Sequence, residues 1–183
     1  MSANKSSTPP PPSYVIPTLY DETFRSRSHI APTIMSMGNR PNLIGYLDHH
    51  APTTDGSFSM VIIPGDGAFI SQALYESIPA DHRPVLDKTD AGQAIGTLFG
   101  PGDLKCIGSI FFPLILTNKE TGQRFRIVLR TLVMPNLLMS MYIGNGGHTD
   151  GILRYEAWEP GSGPTFGFDF RGDRKNLVYV QGR

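Results

Sequence analysis

The stretch "VIIPGDGAFIS", Val61 to Ser71, sets a lone carboxylate, Asp66, between two glycines in a turn that joins two apolar segments. A carboxylate presented at a strand end is equipped for acid and base work on a water molecule, provided that a second carboxylate lies close enough to split the two pKa values. Pro64, Gly65, Asp66 and Gly67 are equally the residues of an ordinary turn. Other donors cluster in "YLDHHAPTTDG", with Asp48, His49, His50 and Asp55, and in "GGHTDG", with His148 and Asp150. Imidazole and carboxylate suit zinc or a two-histidine, one-carboxylate iron centre. Adjacent histidines in an extended chain face opposite ways, however, so at most one of His49 and His50 reaches a given ion. Polar loop residues explain both segments without a metal, and no cofactor is expected.

The remaining motifs carry less. No Gly-x-Ser-x-Gly elbow selects a serine nucleophile, and "GNGGHTDG" lacks the Lys-Ser/Thr pair of a phosphate loop. Arg171, Gly172 and Asp173 form an adhesion-type tripeptide, but they fall where a polar hairpin turn is expected. Cys106 is the sole cysteine of the chain, which excludes an internal disulfide and a cysteine-based zinc site. It lies in an apolar stretch and reads as a small buried hydrophobe.

These residues need a scaffold, and composition bounds it. A chain of 183 residues suits one domain. Sixteen prolines and 20 glycines favour short strands and turns over long helices. Lys and Arg total 16, as do Asp and Glu, so no net field gathers a polyanion; neither nucleic acid nor membrane is an expected partner. With no apolar core of signal-peptide length and no run able to span a bilayer, a soluble intracellular chain, or a piece of a polyprotein, is expected.

Residues 1–18 are rich in Ser and Pro, with four prolines from Pro9 to Pro12, and read as a disordered polyproline-type arm. Residues 19–41 form a poorly determined lead-in, and a short strand is expected over Leu43 to Leu47. "SFSMVII" (Ser57 to Ile63) reads as a strand and "ISQALYESIP" (Ile70 to Pro79) as a short helix or turn closed by proline. "LKCIGSIFFPLILTN" (Leu104 to Asn118) is β-rich, with Gly108 and Pro113 suggesting a bend or bulge. "RFRIVLRTLVM" (Arg124 to Met134) alternates apolar and basic residues as a half-buried strand does, and the turn between these two segments makes them a hairpin. "NLLMSMYIG" is a further apolar segment, and "TFGFDF" and "LVYV" form a second hairpin. The fold class is mostly β, a barrel or sandwich with one or two short helices.

Taken together, Ser57 to Gly144 resembles a retropepsin, the retroviral and retrotransposon type of aspartic protease. The resemblance is carried by "GDGAFIS" at the place of the Asp-Thr/Ser-Gly-Ala loop and by a flap candidate in "AGQAIGTLFGPGDL" (Ala91 to Leu104). "CIGSIFFPLIL", "GQRFRIVLRTLVMPNLL" and the closing "MYIGN" follow in the family's order. It implies a retropepsin-like closed β-barrel half-site over residues 42–183, assembling as a homodimer. It also implies a cleft that holds an extended peptide or protein segment under a flap that includes Ala91, Gly92, Ile95, Gly96 and Gly100. The family's loop aligns on Gly65, Asp66, Gly67 and Ala68, so Gly65 replaces the expected aspartate and Asp66 takes the Thr/Ser place. A one-residue shift along an extended chain turns a side chain to the opposite face. Two functions therefore follow: a peptide-binding protein that has lost the dyad, or an aspartic endopeptidase in which Asp66 of each copy, with Gly67 and Ala68 shaping the loop, rebuilds it. A metal-binding protein using His49 or His50 with His148 is a third.

Overall fold

The computed structural model describes residues 16–21, 33–34, 42–48, 56–63, 67–97, 100–144, 153–170 and 176–182. Among these the protein is mostly β. The strands are β1 (Thr18–Asp21), β2 (Thr33–Ile34), β3 (Asn42–Leu47), β4 (Ser57–Ile63), β5 (Ala68–Ser71), β6 (Ala94–Thr97), β7 (Gly100–Lys105), β8 (Gly108–Thr117), β9 (Arg124–Met134), β10 (Met141–Gly144), β11 (Leu153–Glu159), β12 (Gly163–Phe168) and β13 (Val178–Gln181). One helix, α1 (Gln72–Ser77), and a 3-10 turn (Lys88–Asp90) complete the described elements.

Six strands close into a barrel in the order β9-β5-β10-β4-β3-β8, and the β8–β9 pairing completes the ring. Closure removes the open edges that an extended sheet would expose. β9 is long enough to be shared: β8 runs along one side of it, while the other side takes β1 at Arg126 to Val128 and β5 at Leu132 to Met134. The lead-in thus supplies β1 to the main sheet and β2 to the β6–β7 hairpin.

The alternation seen in the sequence explains the interior. Ile110, Phe112, Leu114 and Leu116 of β8 and Phe125, Ile127 and Leu129 of β9 are buried in one cluster with Met60, Ile62, Ile70, Met141 and Ile143. Phe112 and Phe58 lie with ring centroids 5.8 Å apart in a tilted arrangement. Each fully buried side chain of this size contributes roughly 1.5–3 kcal/mol relative to exposure.

The C-terminal sheet β11-β12-β13 contributes to the same core through Phe166, Phe168, Phe170 and Val180. Phe170 sits 5.3 Å from the Phe125 ring. The Lys119 amide donates to the Tyr179 carbonyl at 2.7 Å, and an isolated bridge joins Leu43 to Gly182. The expected hairpin of "TFGFDF" and "LVYV" forms as β12 and β13 and packs onto its own chain.

The bend expected at Gly108 or Pro113 falls at the first: β7 ends at Lys105 and β8 begins at Gly108, with a bend at Ile107 between them and Gly108 at a φ of +151°. Pro113 causes no bulge, since β8 and β9 keep a single register from Gly108↔Val133 to Thr117↔Arg124. The ladder between β3 and β8 stops at Leu114, the residue after Pro113, whose missing N–H could not extend it.

Candidate functional site

The strands around residues 64–67 do not pair with each other. β10 lies between them, parallel to β4 through Met141↔Met60 to Gly144↔Ile63 and antiparallel to β5 through Met141↔Ile70 to Ile143↔Ala68. The Gly144 amide donates to the Gly67 carbonyl at 2.7 Å, so the end of β10 is fastened to the loop. Gly67 itself is exposed, with φ at +89°, a backbone state that suits glycine. Ala68 is buried at the start of β5. Pro64, Gly65 and Asp66 lie outside the described residues.

This end of the barrel is apolar on both faces. Inward, Ile62, Ile70 and Ile143 join the main core. Outward, Val61, Ile63, Phe69, Leu132, Met134 and Tyr142 form a second buried cluster with Cys106, and Leu104, Leu137 and Met139 pack against it. That double burial is why "MYIG" is apolar without alternation. Leu104 belongs to β7 and Cys106 directly follows it, so the root of the β6–β7 hairpin shares one cluster with the strands that flank residues 64–67.

Tyr142 is 1% exposed, and its hydroxyl, buried among these apolar side chains, makes no hydrogen bond of normal geometry among the described residues. Burial pushes the phenol above its ordinary pKa, offset only in part by the Met139 backbone.

The expected flap residues fall together in one stretch. Ala91 and Gly92 form the exposed turn after Lys88–Asp90, Ile95 and Gly96 lie on β6, and Gly100 opens β7. β6 and β7 pair antiparallel from Ala94↔Lys105 to Thr97↔Gly100, with a register shift between Ala94 and Gly96. β2 runs parallel to β6 at Thr33↔Gly96 and Ile34↔Thr97, so β6 is the central strand of a three-stranded ribbon.

The hairpin base is laced to the barrel. Asp87 and Ser109 exchange backbone hydrogen bonds of 2.8 and 2.9 Å, the Gly92 amide donates to the Cys106 carbonyl at 2.9 Å, and the Cys106 amide donates to the Gln93 carbonyl at 3.2 Å. The Asp90 carboxylate accepts from the buried Ser109 hydroxyl at 2.5 Å and from the Arg130 guanidinium. The Cys106 thiol donates to the Asp90 carbonyl at 2.8 Å; Cys106 is 3% exposed, the buried small residue expected. Burial by itself would raise the Asp90 carboxyl, but the Ser109 and Arg130 bonds and the Arg130 charge outweigh it and hold the group below its ordinary value.

His49, His50 and His148 lie outside the described residues, as do Arg171, Gly172 and Asp173. Among the described residues no group of three or more His, Cys, Asp and Glu side chains is arranged to hold a metal ion. No described helix is long and apolar enough to cross a membrane. An open depression of about 570 Å³, lined by Ser57, Ser59, Ser71, Ser140 and Leu74 among others, sits at the far end of β4 and β10 from residues 64–67.

Sequence reasoning missed Ser109, Arg130 and Asp90 as a set. Asp90 and Arg130 are 40 residues apart, and no local pattern announces that two neighbouring strands bring them together. Compared with known proteins, the chain matches no family model, no curated protein and no solved structure.

Proposed function

We propose that the chain is a retropepsin-like barrel protein that binds an extended peptide or protein segment beneath the β6–β7 hairpin and has lost peptide-bond hydrolysis. The observation that carries this reading is the second apolar cluster, in which the hairpin root and the strands flanking residues 64–67 meet. It brings the root of the expected cover together with the strands that flank the expected loop, which supports the reading. The order of elements, from β4 through the hairpin to the fastened β10, also follows the order on which the resemblance rests.

An extended segment bound there would be held by main-chain hydrogen bonds, with pockets for alternate side chains setting specificity. Catalysis is lost because a dyad needs two carboxylates a few ångströms apart, and Gly65 has no side chain to offer. A homodimer belongs to the same proposal. The barrel closes within one copy, so pairing has to use surfaces other than an open barrel edge.

The test is cleavage and binding of a diverse peptide library by the wild-type protein and Asp66→Ala between about pH 4 and 7, the range in which a shared-proton dyad works. Binding without cleavage, retained in Asp66→Ala, is the expected result. Cleavage that vanishes in Asp66→Ala would establish the aspartic endopeptidase instead, and neither binding nor cleavage by the folded protein would overturn both.

A further inference from the structure

We infer that Asp90 is a positioning residue, a carboxylate latch that fixes the base of the β6–β7 hairpin on the barrel and so sets how readily the hairpin lifts. The functional meaning of the latch rests on the peptide-binding reading above, but its existence does not.

The geometry is specific. The 3-10 turn Lys88–Asp90 is separated from β6 by Ala91, Gly92 and Gln93, and Asp90 is its last residue. One carboxylate oxygen receives both the Ser109 hydroxyl of β8 and the Arg130 guanidinium of β9. The Ser109 residue is 2% exposed, and the Asp90 and Arg130 side chains are only 18% and 27% exposed. Shielded, charge-assisted bonds of this kind are shorter and stronger than bonds between neutral groups. β8 and β9 form the longest ladder in the barrel ring, and the latch is anchored on it.

Among the described residues, the hydrogen bonds that tie the hairpin to the barrel lie at its base. The Gly92–Cys106 and Gln93–Cys106 backbone bonds and the Cys106 thiol on the Asp90 carbonyl all cluster at the same base, and the far half meets only the two-residue β2 in the described pairings. Losing the Asp90 carboxylate would therefore loosen the base around which every other tether is arranged.

The charged and titratable groups about Asp90 are Arg130 from β9, Cys106 from the segment before β8, and Asp87 and Lys88 from its own turn. Asp87 is partly occupied with Thr89, whose amide it accepts at 2.9 Å, and its charge acts on Asp90 in the direction opposite to that of Arg130. The Ser109 hydroxyl and the Arg130 contact outweigh it and hold the Asp90 carboxyl below its ordinary value.

Amide hydrogen exchange on the full chain tests this without any peptide. In Asp90→Asn at neutral pH, amides of residues 94–97 and 102–105 are expected to exchange about tenfold faster or more, the scale of one lost bond to a charged group. Amides of residues 110–112, 114–116 and 125–129 stay as in the wild type. Arg130→Gln should give the same pattern, and the double variant should add little to either single one. Should Asp90→Asn not fold, Ser109→Ala removes one latch donor without altering the apolar core, and the hairpin should again speed up alone. Unchanged hairpin exchange, or barrel amides rising in step with it, would overturn the latch. Peptide binding is measured separately, so a chain that binds no peptide leaves the exchange result standing.

Discussion

At Gly108 residues 86–87, which lead into the hairpin base, approach β8 closely, and replacing the glycine by alanine tests that packing quantitatively. Its φ is +151°, and a Cβ built there would lie 2.7 Å from the Asp87 carbonyl oxygen and 2.9 Å from Leu86 Cγ. The first contact is with backbone that cannot swing aside. Relief requires residues 86–87 to move off β8, which breaks the two Asp87–Ser109 backbone bonds, each contributing a net of about 0.5–1.5 kcal/mol. The unfavourable φ adds about 1–2 kcal/mol. Together Gly108→Ala should cost about 2–5 kcal/mol. Gly122→Ala is the control: φ is +67° and nothing lies within 4 Å of the added carbon, so only the backbone cost of about 1–2 kcal/mol remains.

Urea titration of the two variants, with slopes of roughly 1–3 kcal/mol per molar, should place the Gly108→Ala midpoint below that of Gly122→Ala by about 1 M. Equal midpoints would refute the reasoning, because they would mean that the 86–87 segment yields at no cost and does not pack on β8 as described.

Two further outcomes follow from the buried polar groups. Tyr142→Phe deletes a hydroxyl that is buried without a bond of normal geometry, so stability should rise by about 1 kcal/mol and the thermal midpoint by about 2–4 °C; a lower midpoint in calorimetry would show that the hydroxyl is bonded in solution. Asp90 has a carboxyl held below its ordinary value, so its contribution to stability is present above the unfolded value of about 3.9 and lost as pH falls through the lower folded value. Acid titration of stability should be less steep in Asp90→Asn below about pH 4, and an identical acid limb in both proteins would remove Asp90 from the account.

The legible parts of this fold are those in which one face of a strand meets the core and the other does not. Arg124 to Met134 shows its alternation in the residue types, and Ser57 to Ile63 is bounded by turn formers; both strands have the ends the sequence suggests. β5 is hidden because Ala68 to Ser71 is buried on both faces and runs straight into α1, so Ile70 reads as the start of a helix. The boundary signal was Ser71, whose hydroxyl caps α1 by accepting the Leu74 amide at 3.0 Å. β11 carries Arg, Glu and Ala, residues with little strand preference, and is a strand through its pairing with β12. β1 and β2 are two to four residues long and are defined by partners far along the chain. The latch was illegible for the same reason, since its three residues become neighbours only when β8 and β9 align. The candidate loop was legible as a turn, but the strand inserted between its two flanks was not.

That insertion constrains the order in which the chain can assemble. β4 and β5 run antiparallel and are separated by residues 64–67, a spacing that by itself suits a direct hairpin. Local closure is faster than long-range closure, and β10 arrives from more than 70 residues downstream of β5. If β4 and β5 zip together first, the slot for β10 is filled and both must part before the barrel can close. The native ring therefore needs the two flanks, β4 and β5, to stay apart until the last strand has been delivered.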